Sequence, residues 1–219
     1  MTLHEAMADR HMVRKYLNKP MPTDLVEKIE DRINTLNASH DIVMKLITGS
    51  NAAFSAIIKL ILAKGVQNYI ILSGHDSPDL GERLGYASAE LMLYAQTLGL
   101  NTWWVGGTFN RSVSKQVPEG NKVVGVVAIG FGATQGIPHK SKAADEVSAY
   151  EGEAPVWFTE GVAAALLAPT ALGKQPFFIT GKGRDVAITC DGGIFAGANL
   201  GLVKYHFELG AGKDNFDWV

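Results

Sequence analysis

The chain repeats one short segment: GVQNYII at residues 65–71 returns 108 positions later as GKQPFFI at residues 173–179. Each copy ends in an apolar, partly aromatic run, which is typical of a buried β-strand. A helical pattern follows each copy, with matching residues spaced 4, 3 and 4 so that each set shares one helix face. At an offset of 111 positions, Ala87, Leu91, Tyr94 and Leu98 fall on Ala198, Leu202, Tyr205 and Leu209.

The repeat predicts two related halves, although two amphipathic helices can also look alike by chance. Residues 1–150 would form the first half and residues 151–219 the second, packed as one compact structural unit. Related halves can imitate a two-fold dimer within one polypeptide. Strands are expected at residues 69–72, 103–105, 123–129, 177–180 and 186–189, and helices at residues 3–9, 25–36, 85–98, 157–167 and 198–209. This pattern predicts an α+β fold, a mostly antiparallel sheet flanked by helices.

Composition narrows the class of protein. Apolar residues make up 47% of the chain and charged residues 19%, which indicates a folded globular protein. The net charge of −2 lacks the basic surplus of a general nucleic-acid binder. Cys190 is the single cysteine, which excludes an intrachain disulfide and a multi-cysteine zinc site, and we expect it to be an inert buried thiol. The histidines show no metal-ligand spacing, so we expect no metal.

The most apolar stretch covers residues 52–63 and is interrupted by Lys59. It is too short to cross a bilayer, which needs about 20 apolar residues. We therefore expect a helix in the protein core. The N-terminus has no apolar region typical of a signal peptide, and we expect a cytoplasmic protein with no membrane partner.

Two arginines lie four positions apart in the segment Arg10–Tyr16. Arg10 and Arg14 share one side of the segment whether it is helical or extended. Guanidinium groups match phosphate oxygens with paired N–H donors, so the segment could bind a phosphate. A solvated basic patch is the alternative.

Three further segments could contact a ligand. The first, residues 139–142, holds two lysines on either side of Ser141 and could face a phosphate or simply form a solvated linker. In the second, Trp103 to Gly107, adjacent glycines would let a planar ligand approach the backbone, or would form a turn after a strand. The third, Ala168 to Phe177, could wall a flat ring or merely connect a helix to a strand.

Together, these segments resemble the nitroreductase family of FMN-dependent oxidoreductases. Its members open with an Arg-x-x-x-Arg/Lys-x-aromatic segment, which residues 10–16 match. They carry an Ala/Ser-Pro-Ser/Thr-x-x-Asn-x-Gln-Pro-aromatic loop, which residues 168–177 match. A Leu-Gly-Leu run leading to a flavin-binding glycine loop is matched by residues 98–107, and a strand followed by a basic cluster by residues 123–142.

The resemblance implies a set of FMN contacts. Arg10, Lys140 and Lys142 would bind the phosphate end, and Arg14 would lie near N1 and O2 of the isoalloxazine ring. The amides of Gly106 and Gly107 would approach N5 and O4. The remaining implied contacts are His11, Met12, Trp104 and Val105 from the first half and Pro169, Thr170 and Ala171 from the second.

The resemblance also implies an activity. NAD(P)H would give a hydride to N5 of FMN, and an electron-poor acceptor, such as a nitro compound or a quinone, would then take the electrons in a ping-pong cycle. No catalytic side chain is required, because the cofactor does the chemistry. A Tyr or Trp side chain, for instance that of Trp103 or Trp104, is expected to stack on substrate. A non-catalytic flavin-binding or flavin-storage protein is the alternative.

Three departures from the family pattern bear on this reading. Met12 stands where a hydroxyl residue is common, and Gly173 stands where Asn is usual. The Pro-containing loop also follows the flavin loop instead of preceding it. This order resembles a subgroup of pseudo-dimers, in which two fused halves share one FMN, and such a protein would be a monomer or a homodimer.

Overall fold

The computed structural model describes residues 1–219, which divide into two compact units. Unit 1 comprises Met1–Leu80 and Glu90–Pro138, and unit 2 comprises Gly81–Ala89 and His139–Val219. The division therefore falls after Pro138 and not after residue 150. The reason is that Ser148–Tyr150 forms a strand paired within the unit 2 sheet. That the two parts are related halves stays a prediction.

Unit 1 is built on a four-stranded antiparallel sheet with the strand order β1-β2-β4-β3. The mostly apolar strand β4 takes an inner position in this sheet, paired with β2 on one edge and β3 on the other. None of the helices in the structure combines the length and apolar character needed to cross a membrane. The elements of this unit are α1 (Leu3–Asp9), α2 (Thr23–His40), β1 (Val43–Ile47), α3 (Ala56–Ile61), β2 (Tyr69–His75), the later part of α4 (Leu80–Thr97), β3 (Asn101–Val105) and β4 (Asn121–Gly130).

One face of this sheet carries a packed apolar core. The side chains of Tyr69 and Ile71 on β2 and of Val126 and Ala128 on β4 alternate onto this face, as the two-residue period of a strand requires. Trp103 joins them from β3 and stacks on Phe54, with ring centroids 5.9 Å apart and planes 10° apart. Full burial of a large apolar side chain stabilises a fold by about 1.5–3 kcal/mol, so this core helps to hold β2, β3 and β4 together.

The expectation of a core helix at residues 52–63 is wrong. Only Ala56–Ile61 is helical, and no residue within this helix is buried. Ile57, Leu60 and Ile61 are 69%, 80% and 66% exposed. The apolar character of the stretch indicated a helix correctly for part of it, but composition carries no information about whether another element covers the helix.

Unit 2 contains a second four-stranded sheet, in the order β5-β6-β7-β8. The hairpin of β6 and β7 is antiparallel, whereas the two short edge strands run parallel to their neighbours. Two helices accompany the sheet. The elements are β5 (Ser148–Tyr150), α5 (Val156–Ala165), β6 (Phe177–Lys182), β7 (Asp185–Cys190), α6 (Ala196–Ala211) and β8 (Asp217–Trp218).

Within unit 2, the first turns of α4 cross α6 at unusually close range. A Cβ atom on Gly85 would lie 2.2 Å from the carbonyl oxygen of Ala198, and one on Gly201 would lie 2.0 Å from that of Glu82. Only glycine allows two helix backbones to approach this closely. The ion pair of Lys204 with Glu82, at 2.6 Å, joins the same two helices.

Candidate functional site

Arg10 follows helix α1 as its C-cap and carries a buried charged side chain. Its backbone N–H donates to the carbonyl oxygen of Ala6 at 2.8 Å, after which the chain becomes extended. The side chain is only 5% exposed, and its Nε atom has no hydrogen-bond partner. Burial lowers the pKa of Arg10 to about 10, so the guanidinium stays charged at neutral pH.

The segment after Arg10 is extended and forms main-chain bridges with three other parts of the chain, at Thr102, Lys64 and Gly132. Met12 forms a parallel bridge with Thr102 at the start of β3, and Lys15 forms one with Lys64. The N–H of Tyr16 donates to the carbonyl oxygen of Lys64 at 2.8 Å. Val13 and Tyr16 turn into the core, so the segment is held at both ends while its polar residues face away from that core.

Arg14 lies in a different environment from Arg10. It is exposed, and its guanidinium carbon lies 5.3 Å from the centroid of the Trp103 ring. Trp103 itself is 6% exposed and stacks on Phe54, so it has little surface left for a substrate, and for Trp104 the expectation of substrate stacking stays a prediction. Trp104 faces the other side of β3 and is half-buried, with its ring over Gly125.

The glycine loop follows β3 directly. The Val105 side chain is 3% exposed and belongs to the apolar core, so only its main chain is left to contact a ligand. Gly106 is half-buried and Gly107 is exposed. Of the other predicted contacts in this unit, His11 is half-buried and Met12 is 46% exposed.

In unit 2, Gln175 ties the basic segment to the Pro-containing loop. Its side-chain amide donates to the carbonyl oxygen of Leu166 at 2.8 Å and accepts from the backbone N–H of Lys142 at 2.7 Å. The Lys142 ammonium donates to the Gln175 carbonyl oxygen at 3.0 Å, while Lys140 is exposed. Gln175 lies within the family motif at residues 168–177, but this linking role is not evident from the sequence.

The loop itself has a fixed base and an exposed tip. The hydroxyl of Thr170 accepts from the N–H of Gln175 at 3.0 Å, and the N–H of Ala171 donates to Asn199 at 2.9 Å. Pro169 is half-buried beside them. Gly173 has φ +64°, a left-handed conformation that Gly and Asn both tolerate, which accounts for Gly in the usual place of Asn.

Cys190 offers no alternative chemistry. Burial, together with the nearby carboxylate of Asp191, raises the pKa of its thiol to about 12. The thiol therefore stays protonated at neutral pH and is a poor nucleophile, as the sequence led us to expect, although Cys190 is half-buried and not buried.

A family comparison fits this arrangement of motifs. The family described as Putative TM nitroreductase matches residues 2–211. The chain belongs to this family. A search of curated proteins gave no match.

Solved structures of nitroreductases share the fold. One described as a putative nitroreductase of Thermotoga maritima has a TM-score of 0.72 at 21% identity, with 98% of this chain and 85% of that chain covered. One of Desulfovibrio desulfuricans, described as a putative nitroreductase in complex with FMN, has a TM-score of 0.55 at 15% identity, with 67% of this chain and 95% of that chain covered. One of Parabacteroides distasonis is described as a putative NADH dehydrogenase/NAD(P)H nitroreductase. It has a TM-score of 0.53 at 17% identity, with 66% of this chain and 95% of that chain covered. These likenesses confirm the α+β nitroreductase fold.

Proposed function

We propose that this protein is an FMN-dependent oxidoreductase that uses NAD(P)H to reduce an electron-poor acceptor such as a nitro compound or a quinone. The observation that carries the proposal is Arg10, a buried guanidinium whose Nε has no partner, in the first motif of a nitroreductase family member. Support also comes from the relatives described as binding FMN and as NAD(P)H nitroreductases.

Arg10 fits the phosphate group of FMN. A shift of the Arg10 pKa from 12.5 to about 10 means that burying the charge without a partner costs the fold about 3 kcal/mol. A phosphate would accept the guanidinium N–H groups and offset that cost, because charge-assisted, paired hydrogen bonds are among the strongest in proteins.

The neighbouring residues have roles that follow from their positions. Arg14 is held over the Trp103 ring, which suits a positive charge placed near N1 and O2 of the isoalloxazine. The amides of Gly106 and Gly107, with no bulky side chains, suit contact with a flat ring. For His11, Met12, Trp104 and Val105, and for the residues of unit 2, the contacts implied by the family resemblance stand as predictions.

When bound, FMN supplies the hydride chemistry, and NAD(P)H and the acceptor would use it in turn. The work of the chain is to bind the phosphate, orient the ring and bias its charge through Arg14. No acid or base from the chain is needed, and the protonated Cys190 supplies no nucleophile.

The proposal is tested by loading the purified protein with FMN and measuring oxidation of NADH and of NADPH, with and without a quinone or a nitroaromatic compound. We expect a yellow complex, reduction of the flavin by at least one nicotinamide, and reoxidation by the acceptor. Flavin binding without reduction by either nicotinamide would favour the storage alternative. Failure to bind FMN at all would refute both functions.

A further inference from the structure

Helix α3 presents an apolar face to solvent. Ile57, Leu60 and Ile61 follow the i, i+3, i+4 spacing that places residues on one side of a helix, and all three are at least 66% exposed. Ile58 and Leu62 lie on the opposite side and pack against the core of unit 1. The core therefore fixes the orientation of α3 and holds its apolar face outward.

Two segments of the chain, one containing α3 and one paired with it, are rich in cations and contain no acid. Residues 10–23 and 42–75 include seven lysines and arginines but no aspartate or glutamate, although the whole chain has a net charge of −2. These two segments meet at the parallel bridge between Lys15 and Lys64. Both lysines are exposed, and like charges side by side on paired segments are unfavourable unless an anion lies between them.

We propose that α3 and the lysines beside it, Lys15, Lys59 and Lys64, bind the surface of an anionic lipid membrane. Aliphatic side chains on a fixed helix face can enter the boundary between headgroups and acyl chains, while lysines around them meet anionic headgroups. The surface lies outside the predicted flavin contacts, and it replaces the expectation that the protein has no membrane partner.

Charge favours a lipid surface over a second copy of this chain. A two-fold dimer through α3 would place the same surface of both copies face to face. The acid-free segments would then repel each other, since no carboxylate within them is available to pair with the lysines. An anionic bilayer complements both the apolar and the cationic part of the surface.

The test is cosedimentation of the full chain with vesicles of phosphatidylglycerol and phosphatidylcholine in equal parts, compared with vesicles of phosphatidylcholine alone. We expect binding to the mixed vesicles that weakens as salt is added. Lys15→Ala and Lys64→Ala should each lower the affinity about fivefold, as expected for one lysine near an anionic surface. Leu60→Ser should lower it roughly tenfold or more, because several buried methylene equivalents are lost.

Ile194→Ser is the matched control, because Ile194 is 88% exposed but lies outside the acid-free segments. The proposal is overturned if mixed vesicles are not bound, if neutral vesicles are bound equally well, or if Ile194→Ser weakens binding as much as Leu60→Ser. It is also overturned if light scattering finds a dimer that Leu60→Ser converts to a monomer. Circular dichroism checks that each variant is folded, and the lysine variants test the surface without touching α3 packing.

Discussion

Arg10 and helix α3 depart from the usual distribution of residues in opposite ways. Arg10 is a charged side chain that is only 5% exposed, whereas Leu60 of α3 is an aliphatic side chain that is 80% exposed. Neither position is favourable for the isolated chain. A buried charge without a partner has lost its hydration, and an exposed apolar face leaves apolar surface in contact with water. A side chain whose burial does not suit its chemistry thus indicates a missing partner. For Arg10 the partner would be an anion, and for α3 it would be an apolar, anionic surface.

The two regions should respond differently to substitution. Removing the buried charge should help the cofactor-free fold and harm cofactor binding, since the charge serves the ligand and not the fold. Removing apolar groups from the outward face of α3 should leave the fold unchanged. Substitution of a buried residue close to α3 gives a reference loss of unfolding free energy, with which both of these effects can be compared.

The largest expected effect is that of Phe54→Ala. Phe54 lies just before α3 but is 1% exposed and stacks on Trp103, so truncation leaves a cavity in the unit 1 core. We expect the free energy of unfolding to fall by about 3–5 kcal/mol, measured by urea denaturation. A loss of less than about 1 kcal/mol would mean that this core does not support the segment preceding α3.

Arg10→Ala should weaken FMN binding by about 1.5–3 kcal/mol, the range for a hydrogen bond to a charged group. The affinity is measured by quenching of flavin fluorescence during titration with protein. Arg184→Ala serves as the control, because Arg184 is an exposed arginine paired with Asp217 in unit 2. Equal affinities of the wild type and Arg10→Ala would remove Arg10 from the phosphate site.

Arg10→Met should stabilise the FMN-free protein by about 1–3 kcal/mol, because an apolar side chain of similar length replaces an unpaired buried charge. Since the pKa of Arg10 is lowered in the folded state, its destabilising effect is fully present below about pH 10 and is relieved as the pH rises further. The gain over the wild type should thus be constant from pH 7 to about pH 10 and shrink above it. A loss of stability at pH 7 would show that the Arg10 guanidinium stabilises the fold.

The smallest expected effect is that of Leu60→Ser on stability. Because Leu60 is 80% exposed and makes no core contact, the free energy of unfolding should change by less than about 0.5 kcal/mol in solution. Urea denaturation of this variant beside Phe54→Ala compares an exposed and a buried residue in one short segment. A loss comparable to that of Phe54→Ala would mean that α3 is covered in solution.

Much of the fold is predictable from local pattern, and the exceptions are non-local. The apolar run of β4 and the periodic helices α2, α4 and α6 were recognisable from spacing alone. Strand β1 was missed because its five residues are interrupted by Lys45. Strands β5 and β8 have three and two residues and exist only because distant strands pair with them, as in Ser148 with Ile179.

The candidate site was predictable in its residues but not in its environment. The spacing of Arg10 and Arg14 suited a phosphate or a solvated patch equally well, and only the packing around α1 distinguishes the buried Arg10 from the exposed Arg14. The environment of Gln175 was likewise not predictable, because its hydrogen bonds depend on where the segment containing Lys142 folds back. For α3, the sequence predicted a helix but placed it in the core, because composition does not show that its apolar face is exposed.

The most direct test of the account is the thermal unfolding of the wild type and Arg10→Met, each with and without saturating FMN. We predict that Arg10→Met melts higher than the wild type without FMN and that FMN raises the melting temperature of the wild type more than that of Arg10→Met, since a ligand that binds only the folded state stabilises it according to its affinity. If FMN raises the melting temperature of both proteins equally, or if Arg10→Met melts lower in both conditions, Arg10 is not the phosphate-binding residue.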